Sequence, residues 1–141
     1  MVNEGVWSER VDTQNVSLTN NTDSITFLQL LNVWIIRTAA LTRHIRTDSV
    51  IENLWDPAIA AIEGDIVLTT PETTTWNTYL TQTNNQPPTK TWRLAYVPIS
   101  GSTVNVDISG QVSQFRPIDS GAGVVTYHFR IEATTSTVTV S

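Results

Sequence analysis

The sequence VNVDISGQVS at residues 104–113 decides the fold class, because apolar and polar residues alternate along it. The sequence VTYHFRIEA at residues 125–133 alternates in the same way. Successive side chains of a strand point to opposite faces of a sheet, so this period predicts two strands, each with one face in a core. Gly110 falls in the apolar row and predicts a bulge or a close backbone approach. Turn residues at 117–123 join the strands into an antiparallel hairpin.

Further strands are predicted on the N-terminal side of this hairpin. The run 25–41 is dense in apolar residues and fits helix and strand about equally well, and we favour a strand because the residues after it stay extended in character. Residues 58–68 and 92–97 alternate in part and predict two more strands. Residues 6–16 predict an opening strand. Thr is a β-branched type that favours sheets, and the chain has 23 of them among 141 residues, so a mainly β fold is expected.

One short helix is predicted between the strands. Thr69 followed by Glu72 forms a capping box, and Pro71 supplies helical φ in the first turn. Residues at i, i+3, i+4 and i+7 then form a stripe that can lie on a sheet. These are Trp76, Tyr79, Leu80 and Thr83. A helix of about three turns is expected, held by packing because the Thr residues between are poor helix formers.

Composition limits the classes of function. Lys and Arg number 8 against 13 Asp and Glu, a net charge of -5, and no basic cluster of the kind that neutralises phosphates is present. The chain has no Cys, so disulfides and thiolate sites are excluded. The apolar run 25–36 is too short to span a membrane. A single domain over residues 1–141 is expected, in which the polar segment 42–56 forms a long loop or extended arm.

Catalysis finds little support in the sequence. Asp107 and His128 could face each other across the hairpin with Ser109 or Ser113 nearby, but no Gly-x-Ser-x-Gly elbow or oxyanion hole is indicated. Cross-strand hydrogen bonding explains these residues better. We expect no catalytic residues and no enzymatic activity.

The sequence also gives little support for acid–base catalysis or for a metal site. Glu63 and Asp65 could pair as the two carboxylates of a glycosidase, but they flank Gly64 on one side of one strand, where a solvated or lumen-facing row is the simpler interpretation. His44 and His128 are the only two histidines and lack ligand spacing. No metal and no cofactor is expected.

The five tryptophans divide into two groups. Three lie in apolar-periodic segments, so we expect core packing for Trp34, Trp76 and Trp92. Trp7 and Trp55 could stack on a carbohydrate if they are exposed. This leaves a secreted glycan-binding β-sandwich as an alternative from another functional class.

Four segments of the C-terminal half follow one another in a distinctive order. They are Gly110-Gln111-Val112-Ser113-Gln114-Phe115, the turn Asp119-Ser120-Gly121-Ala122-Gly123, the strand Val124-Val125-Thr126-Tyr127-His128-Phe129-Arg130-Ile131, and the tail Thr137-Val138-Thr139-Val140-Ser141. In this order they resemble the tail tube (major tail) proteins of long-tailed bacteriophages. The resemblance covers roughly residue 61 to the end, and it is one of pattern rather than of a unique motif. The N-terminal half fits the family only loosely.

The resemblance implies an antiparallel β-sandwich or barrel flanked by one short helix. It also implies a structural virion protein that self-assembles into homo-hexameric rings, stacked into a tail tube through which DNA is ejected. Expected partners are further copies of the chain, a tape-measure protein and tail-end proteins, with DNA passing without specific binding and with no membrane. The expected location is the virion tail, assembled in the host cytoplasm.

The resemblance also suggests where contacts form. Candidate residues at the lumen or between subunits are Glu63, Asp65, Asp107, Arg130 and Glu132. Candidate residues of an arm between rings are Arg43, His44, Arg46, Asp48 and Glu52. Because related architectures serve several roles, a tail terminator, a minor tail protein and a capsid decoration protein stay open as alternatives.

Overall fold

The computed structural model describes residues 2–11, 16–45, 51–82, 86–98, 101–118 and 126–140. The elements are β1 (Val2–Val11), β2 (Ser17–Asn20), β3 (Ile25–Phe27), β4 (Leu30–Ile45), β5 (Ile51–Val67), α1 (Thr70–Thr78), β6 (Lys90–Tyr96), β7 (Val104–Ile118) and β8 (Thr126–Val140). The eight strands form one sheet in the order β1-β4-β5-β8-β7-β6-β2-β3, and every neighbouring pair is antiparallel. The predicted mainly antiparallel β fold with one short helix is confirmed. No described helix is long and apolar enough to cross a bilayer.

The sheet is curled because its two sides are tied together by a short link. β3 is the last strand on one side, and β4 is the second strand from the other side. Only Leu28 and Gln29 separate them, which limits the Cα distance from Phe27 to Leu30 to about 11 Å. The backbone N–H of Val67 donates to the Gln29 carbonyl at 2.9 Å, which fixes the link against the end of β5.

The core lies on the inner face of the curl. Alternate residues of each strand are buried there, as the period of two requires. The buried apolar side chains of β7 and β8 are Val106, Ile108, Val112, Phe129 and Ile131. All five belong to the apolar rows that the alternation predicted, although Thr126, from the predicted polar row, is buried as well.

The helix α1 lies against this core. Its N-terminus carries the predicted capping box, in which the Glu72 N–H donates to Thr69 Oγ1 at 3.4 Å and the Thr69 N–H donates to Glu72 Oε1 at 2.9 Å. Trp76 is fully buried, and its ring centroid lies 5.3 Å from those of Phe115 and Phe129. The helix has nine residues and is shorter than the three turns predicted, and Thr83 lies outside the described residues.

Two glycines mark places where backbones approach closely. A Cβ on Gly110 would collide with the Glu132 carbonyl of β8, and the β7–β8 register shifts between Ser109 and Gly110. The predicted bulge or close approach at Gly110 is therefore confirmed. A Cβ on Gly64 would collide with the Asn32 carbonyl of β4. Gly64 thus allows β4 and β5 to pack closely beside the candidate residues Glu63 and Asp65.

The structure corrects the prediction of a loop within the segment 42–56. Residues 42–45 and 51–56 are paired strand residues at the far end of a long β4–β5 hairpin. Arg43 pairs with Asn53, and His44 pairs with Glu52. Periodicity missed these strands because the few apolar residues of the segment do not alternate regularly with the polar ones. Arg46 and Asp48 lie outside the described residues, and a role of the hairpin end as an arm between rings stays a prediction.

Candidate functional site

The candidate site is a cluster of charged side chains on the outer face of the sheet, where β5 and β8 lie side by side. Glu63 and Asp65 flank the buried Gly64 on β5, and His128 and Arg130 flank the buried Phe129 on β8. The register pairs Glu63 with Arg130 and Asp65 with His128. Because residues of one parity share a face, the alternation of both strands brings these side chains together.

His128 lies between two carboxylates. Its Nδ1 is 2.8 Å from Asp65 Oδ1 and its Nε2 is 2.8 Å from Glu63 Oε1. A neutral imidazole has a single N–H, so both contacts are hydrogen bonds only when the ring carries a proton on each nitrogen. The His128 side chain is 15% exposed, against 23% for Glu63 and 17% for Asp65. The cluster is thus partly shielded from water, which strengthens these contacts relative to an exposed pair.

Arg130 extends the cluster toward β7. Its Nη1 donates to Glu63 Oε2 at 3.4 Å and its Nε donates to Glu132 Oε1 at 2.5 Å. The hydrogen bond that Arg130 donates to Glu132 raises the pKa of the Arg130 guanidinium, and the charge of Glu63 adds to this effect. Ser113 Oγ also donates to Glu132 Oε1 at 3.3 Å. Arg130 is therefore held by two carboxylates of the chain itself.

The cluster borders a shallow depression of about 310 Å³, lined by Trp34, Ile36, Glu63 and His128. Trp34 was predicted in the core, and this prediction is wrong: it is half-buried and lies on the outer face, while Val33 and Ile35 on either side are fully buried. The apolar run 25–41 gave no alternation from which the face of Trp34 could be assigned. Trp76 and Trp92 are fully buried, as predicted. The side chains of Trp7 and Trp55 lie outside those that the structure describes.

Asp107 is on the same outer face but belongs to a separate pair. Both oxygens of Asp107 accept hydrogen bonds from Arg93 on β6, Nε at 2.7 Å and Nη2 at 3.1 Å. This contact raises the pKa of the Arg93 guanidinium. Asp107 pairs in register with Thr137, which lies five residues beyond Glu132, about 16 Å along β8. Four of the five lumen or inter-subunit candidates therefore come together, and Asp107 does not join them.

The geometry separates the residues considered for a catalytic triad. His128 pairs in register with Arg116, far along the hairpin from the Asp107–Thr137 pair. The two carboxylates that His128 contacts belong to β5, and the hydroxyl of Ser113 is engaged with Glu132 and the Arg130 carbonyl. Sequence reasoning could not find this because the register of a hairpin is set by its turn and bulges.

The described residues contain no cluster of His, Asp and Glu with the geometry of a metal site. The contacts of the cluster are instead hydrogen bonds and ion pairs between oppositely charged groups. Such an arrangement can neutralise charge on a polar surface and fix the register of β5 against β8.

His128 and Asn32 are the members of the cluster that the site prediction missed. Asn32 Nδ2 donates to Asp65 Oδ2 at 3.2 Å. His128 has the same parity as Arg130 and Glu132, so the alternation of β8 already grouped it with two candidates. Asn32 lies in the apolar run and carried no comparable signal.

No protein-family model and no curated protein sequence matches the chain. Solved structures do match it. One is from the sheath–tube complex of an extracellular contractile injection system, PVC, in the extended state, with a TM-score of 0.63, 9% identity, and coverage of 93% of this chain and 92% of that one. A chain of the virion of a native gene transfer agent has a TM-score of 0.57 and 13% identity, covering 90% and 95%. A chain of the six-fold symmetrised baseplate of the anti-feeding prophage has a TM-score of 0.51 and 11% identity, covering 88% and 90%. At these identities the likeness establishes a shared fold with components of phage-like particles.

Proposed function

We propose that this chain is a structural subunit of a phage-tail-type particle, which self-assembles into stacked hexameric rings that form a tube for DNA. The observation that carries the proposal is the fold likeness, since it extends over about nine-tenths of both chains in each comparison. The role is structural and needs neither a catalytic residue nor a cofactor.

The outer face of β5 and β8 suits the wall of a DNA channel. A phosphate is bound in proteins mainly by guanidinium and ammonium groups that are free to donate. Here Arg130 donates to Glu63 and Glu132, and Arg93 donates to Asp107. Both guanidinium groups are therefore occupied by carboxylates of the same chain. A phosphate of passing DNA could bind either group only by breaking an ion pair.

Assembly of the purified full-length chain tests the proposal. We expect rings and tubes of uniform diameter in negative-stain images, and six-fold symmetry in class averages of end views. Quantitative mass spectrometry of the parent particle should find the chain in hundreds of copies. Neither rings nor tubes, in solution or in the particle, would overturn the tube role.

The wall role has its own test. Glu63→Gln and Glu132→Gln together release the Arg130 guanidinium, so assembled variant should retain double-stranded DNA more strongly than assembled wild type at low salt, with the difference lost as salt rises. Asp107→Asn, which releases Arg93 instead, is the matched variant outside the cluster. Equal DNA retention by wild type and the double variant would contradict a channel role for this face.

A second structural role is favoured by the range of particles among the similar structures, which include a baseplate and a virion. A tail terminator or minor tail protein shares the expected fold but is needed in few copies. Copy number separates the roles: about six per particle favours a terminator, and hundreds favour the tube.

A further inference from the structure

We infer that neighbouring copies in the assembly join by pairing the free edge of β8, residues 133–140, with the outer edge of β1 of the next copy. This inference rests on the proposed function, because it specifies the contact that builds the ring. It follows from which strand edges the described residues leave unpaired, and from the chemistry of each edge.

The edge of β8 becomes free where β5 and β8 part. The two strands pair from Val67–Thr126 to Ala61–Glu132, and a single hydrogen bond, from the Ile59 N–H to Ser136 Oγ at 3.3 Å, lies beyond. β8 continues to Val140 and pairs there with β7 alone among the described strands. One side of residues 133–140 therefore presents backbone N–H and C=O groups without a strand partner.

This edge lacks the features by which soluble proteins prevent an edge strand from pairing with another chain. Soluble proteins protect such edges with Lys, Pro, inward charges or short strands. Residues 133–140 read ATTSTVTV, with no charge and no Pro over eight positions. Val138 is 43% exposed, among the few exposed large apolar residues of the described chain. A long, uncharged, β-branched edge is a template for another strand.

The facing edge of β5 is protected, in contrast. The N–H of Ile59 points toward β8, since it donates to Ser136. Pro57 lies two residues earlier, and the β4–β5 register runs without a shift from Ala39–Pro57 to Arg37–Ile59. Residues two apart in a strand point their backbone groups to the same side, so Pro57 removes a donor from this free edge. β5 is thus unsuited to continue the sheet.

β1 is the edge that fits β8. It has ten residues, pairs with β4 alone among the strands that the structure describes, and contains no Pro. β3, at the other side of the sheet, has only three residues. Pairing β8 of one copy with β1 of the next uses two different surfaces, and such a heterologous contact generates closed rings when the rotation between copies closes.

Disulfide mapping tests the contact, because the chain has no Cys of its own. Thr137→Cys is combined in turn with Asn3→Cys, Val6→Cys or Ser8→Cys on β1, and the assembled tubes are oxidised. Within one copy β4 and β5 lie between these strands, a separation of about 14 Å or more, which is beyond the reach of a disulfide. We expect a ladder of cross-linked species on non-reducing gels. Thr137→Cys with Asn53→Cys on β5, or with Thr26→Cys on β3, is the matched control and should give no ladder.

Hydrogen exchange of the wild-type chain gives a second reading that needs no substitution. Amides of residues 133–140 that face away from β7 should exchange quickly in the dissociated subunit and at least tenfold more slowly in tubes. Tubes without a β1–β8 ladder, or without added protection at 133–140, overturn the inference and leave the tube role intact. A wild-type chain that forms no rings or tubes overturns both.

Discussion

β5 and β8 behave differently in their two halves. Over residues 61–67 and 126–132 they pair with each other, bury apolar residues on one face and carry neutralising ion pairs on the other. Beyond this region they diverge into two edges, one uncharged and one interrupted by Pro57. The first half satisfies its own backbone and its own charges, and the second half leaves backbone groups without a strand partner among the described residues. Under the contact proposed above, stability and assembly depend on successive segments of the same two strands.

Trp76→Ala should give the largest loss of stability, because it leaves a cavity in the core beneath residues 61–67 of β5 and 126–132 of β8, where these strands pair. Trp76 is fully buried among Phe27, Trp92 and Phe129. We expect the free energy of unfolding to fall by about 3–5 kcal/mol. Urea denaturation followed by circular dichroism measures it. Thr137→Ala, in the diverging half, is the control and should change stability by less than about 0.5 kcal/mol; equal losses would erase the distinction between the halves.

Gly64→Ala should destabilise the packing of β5 against β4, the strand on the side of β5 away from β8. The added Cβ meets the Asn32 backbone carbonyl, which cannot rotate away as a side chain would. We expect a loss of about 1–3 kcal/mol from overpacking, read from the urea midpoint. Gly101→Ala is the informative comparison, since no atom lies near its Cβ but its φ of +91° disfavours a side chain. If Gly64→Ala is neutral, the close β4–β5 approach contributes nothing to stability.

His128→Leu tests whether the ion cluster stabilises the paired half. It leaves Glu63 and Asp65 without the ring that contacts both of them, although Arg130 and Asn32 still contact them. We expect a loss of about 1–2 kcal/mol, since these carboxylates are only partly exposed. A double-mutant cycle with Asp65→Asn isolates the pairwise part. Arg93→Ala removes a more exposed ion pair and should leave the urea midpoint unchanged.

Tyr79→Phe should have the smallest effect at neutral pH and a visible one in alkali. Burial raises the pKa of the Tyr79 hydroxyl above its ordinary value of 10.0, and the nearby Asn20 amide partly opposes this. The folded state therefore keeps a proton that the unfolded state loses. The contribution of Tyr79 to stability is fully present below pH 10 and is lost as the pH rises through the pKa of the folded state.

Unfolding of wild type and Tyr79→Phe at pH 8 and at about pH 11 measures this difference. Wild type should lose more stability between the two values than the variant does. Parallel losses in both proteins would show that Tyr79 does not sense the alkaline transition.

The sequence predicted those parts of the fold that local chemistry determines. The β7–β8 hairpin followed from alternation, and the start of α1 from the capping box at Thr69. Pairings between distant segments, such as β2 with β6, did not follow, because they depend on packing that local patterns do not encode. The far end of the β4–β5 hairpin was missed because its few apolar residues do not alternate regularly with the polar ones.

The candidate site was predicted in part. The resemblance grouped the acidic residues of β5 with Asp107 and the charged residues of β8, and the structure brings Glu63, Asp65, Arg130 and Glu132 together. The register of the sheet separates Asp107 from them, and a place at a lumen or between subunits stays a prediction for all five. Trp34 was misplaced because a continuous apolar run does not reveal which side chains face outward. A sequence shows which residues of one strand share a face, whereas only the folded sheet shows which residues of two strands lie opposite each other.

The position of β8 in the chain has a consequence for the order of events during synthesis. β8 follows both of its partners, β5 and β7, so the ribosome has already produced the strands against which it pairs. The edge at residues 133–140 is formed only when β8 docks on β7, and a nascent chain that lacks this segment cannot present it. Contact between copies through this edge can therefore begin only after β8 has been synthesised and has paired with β7.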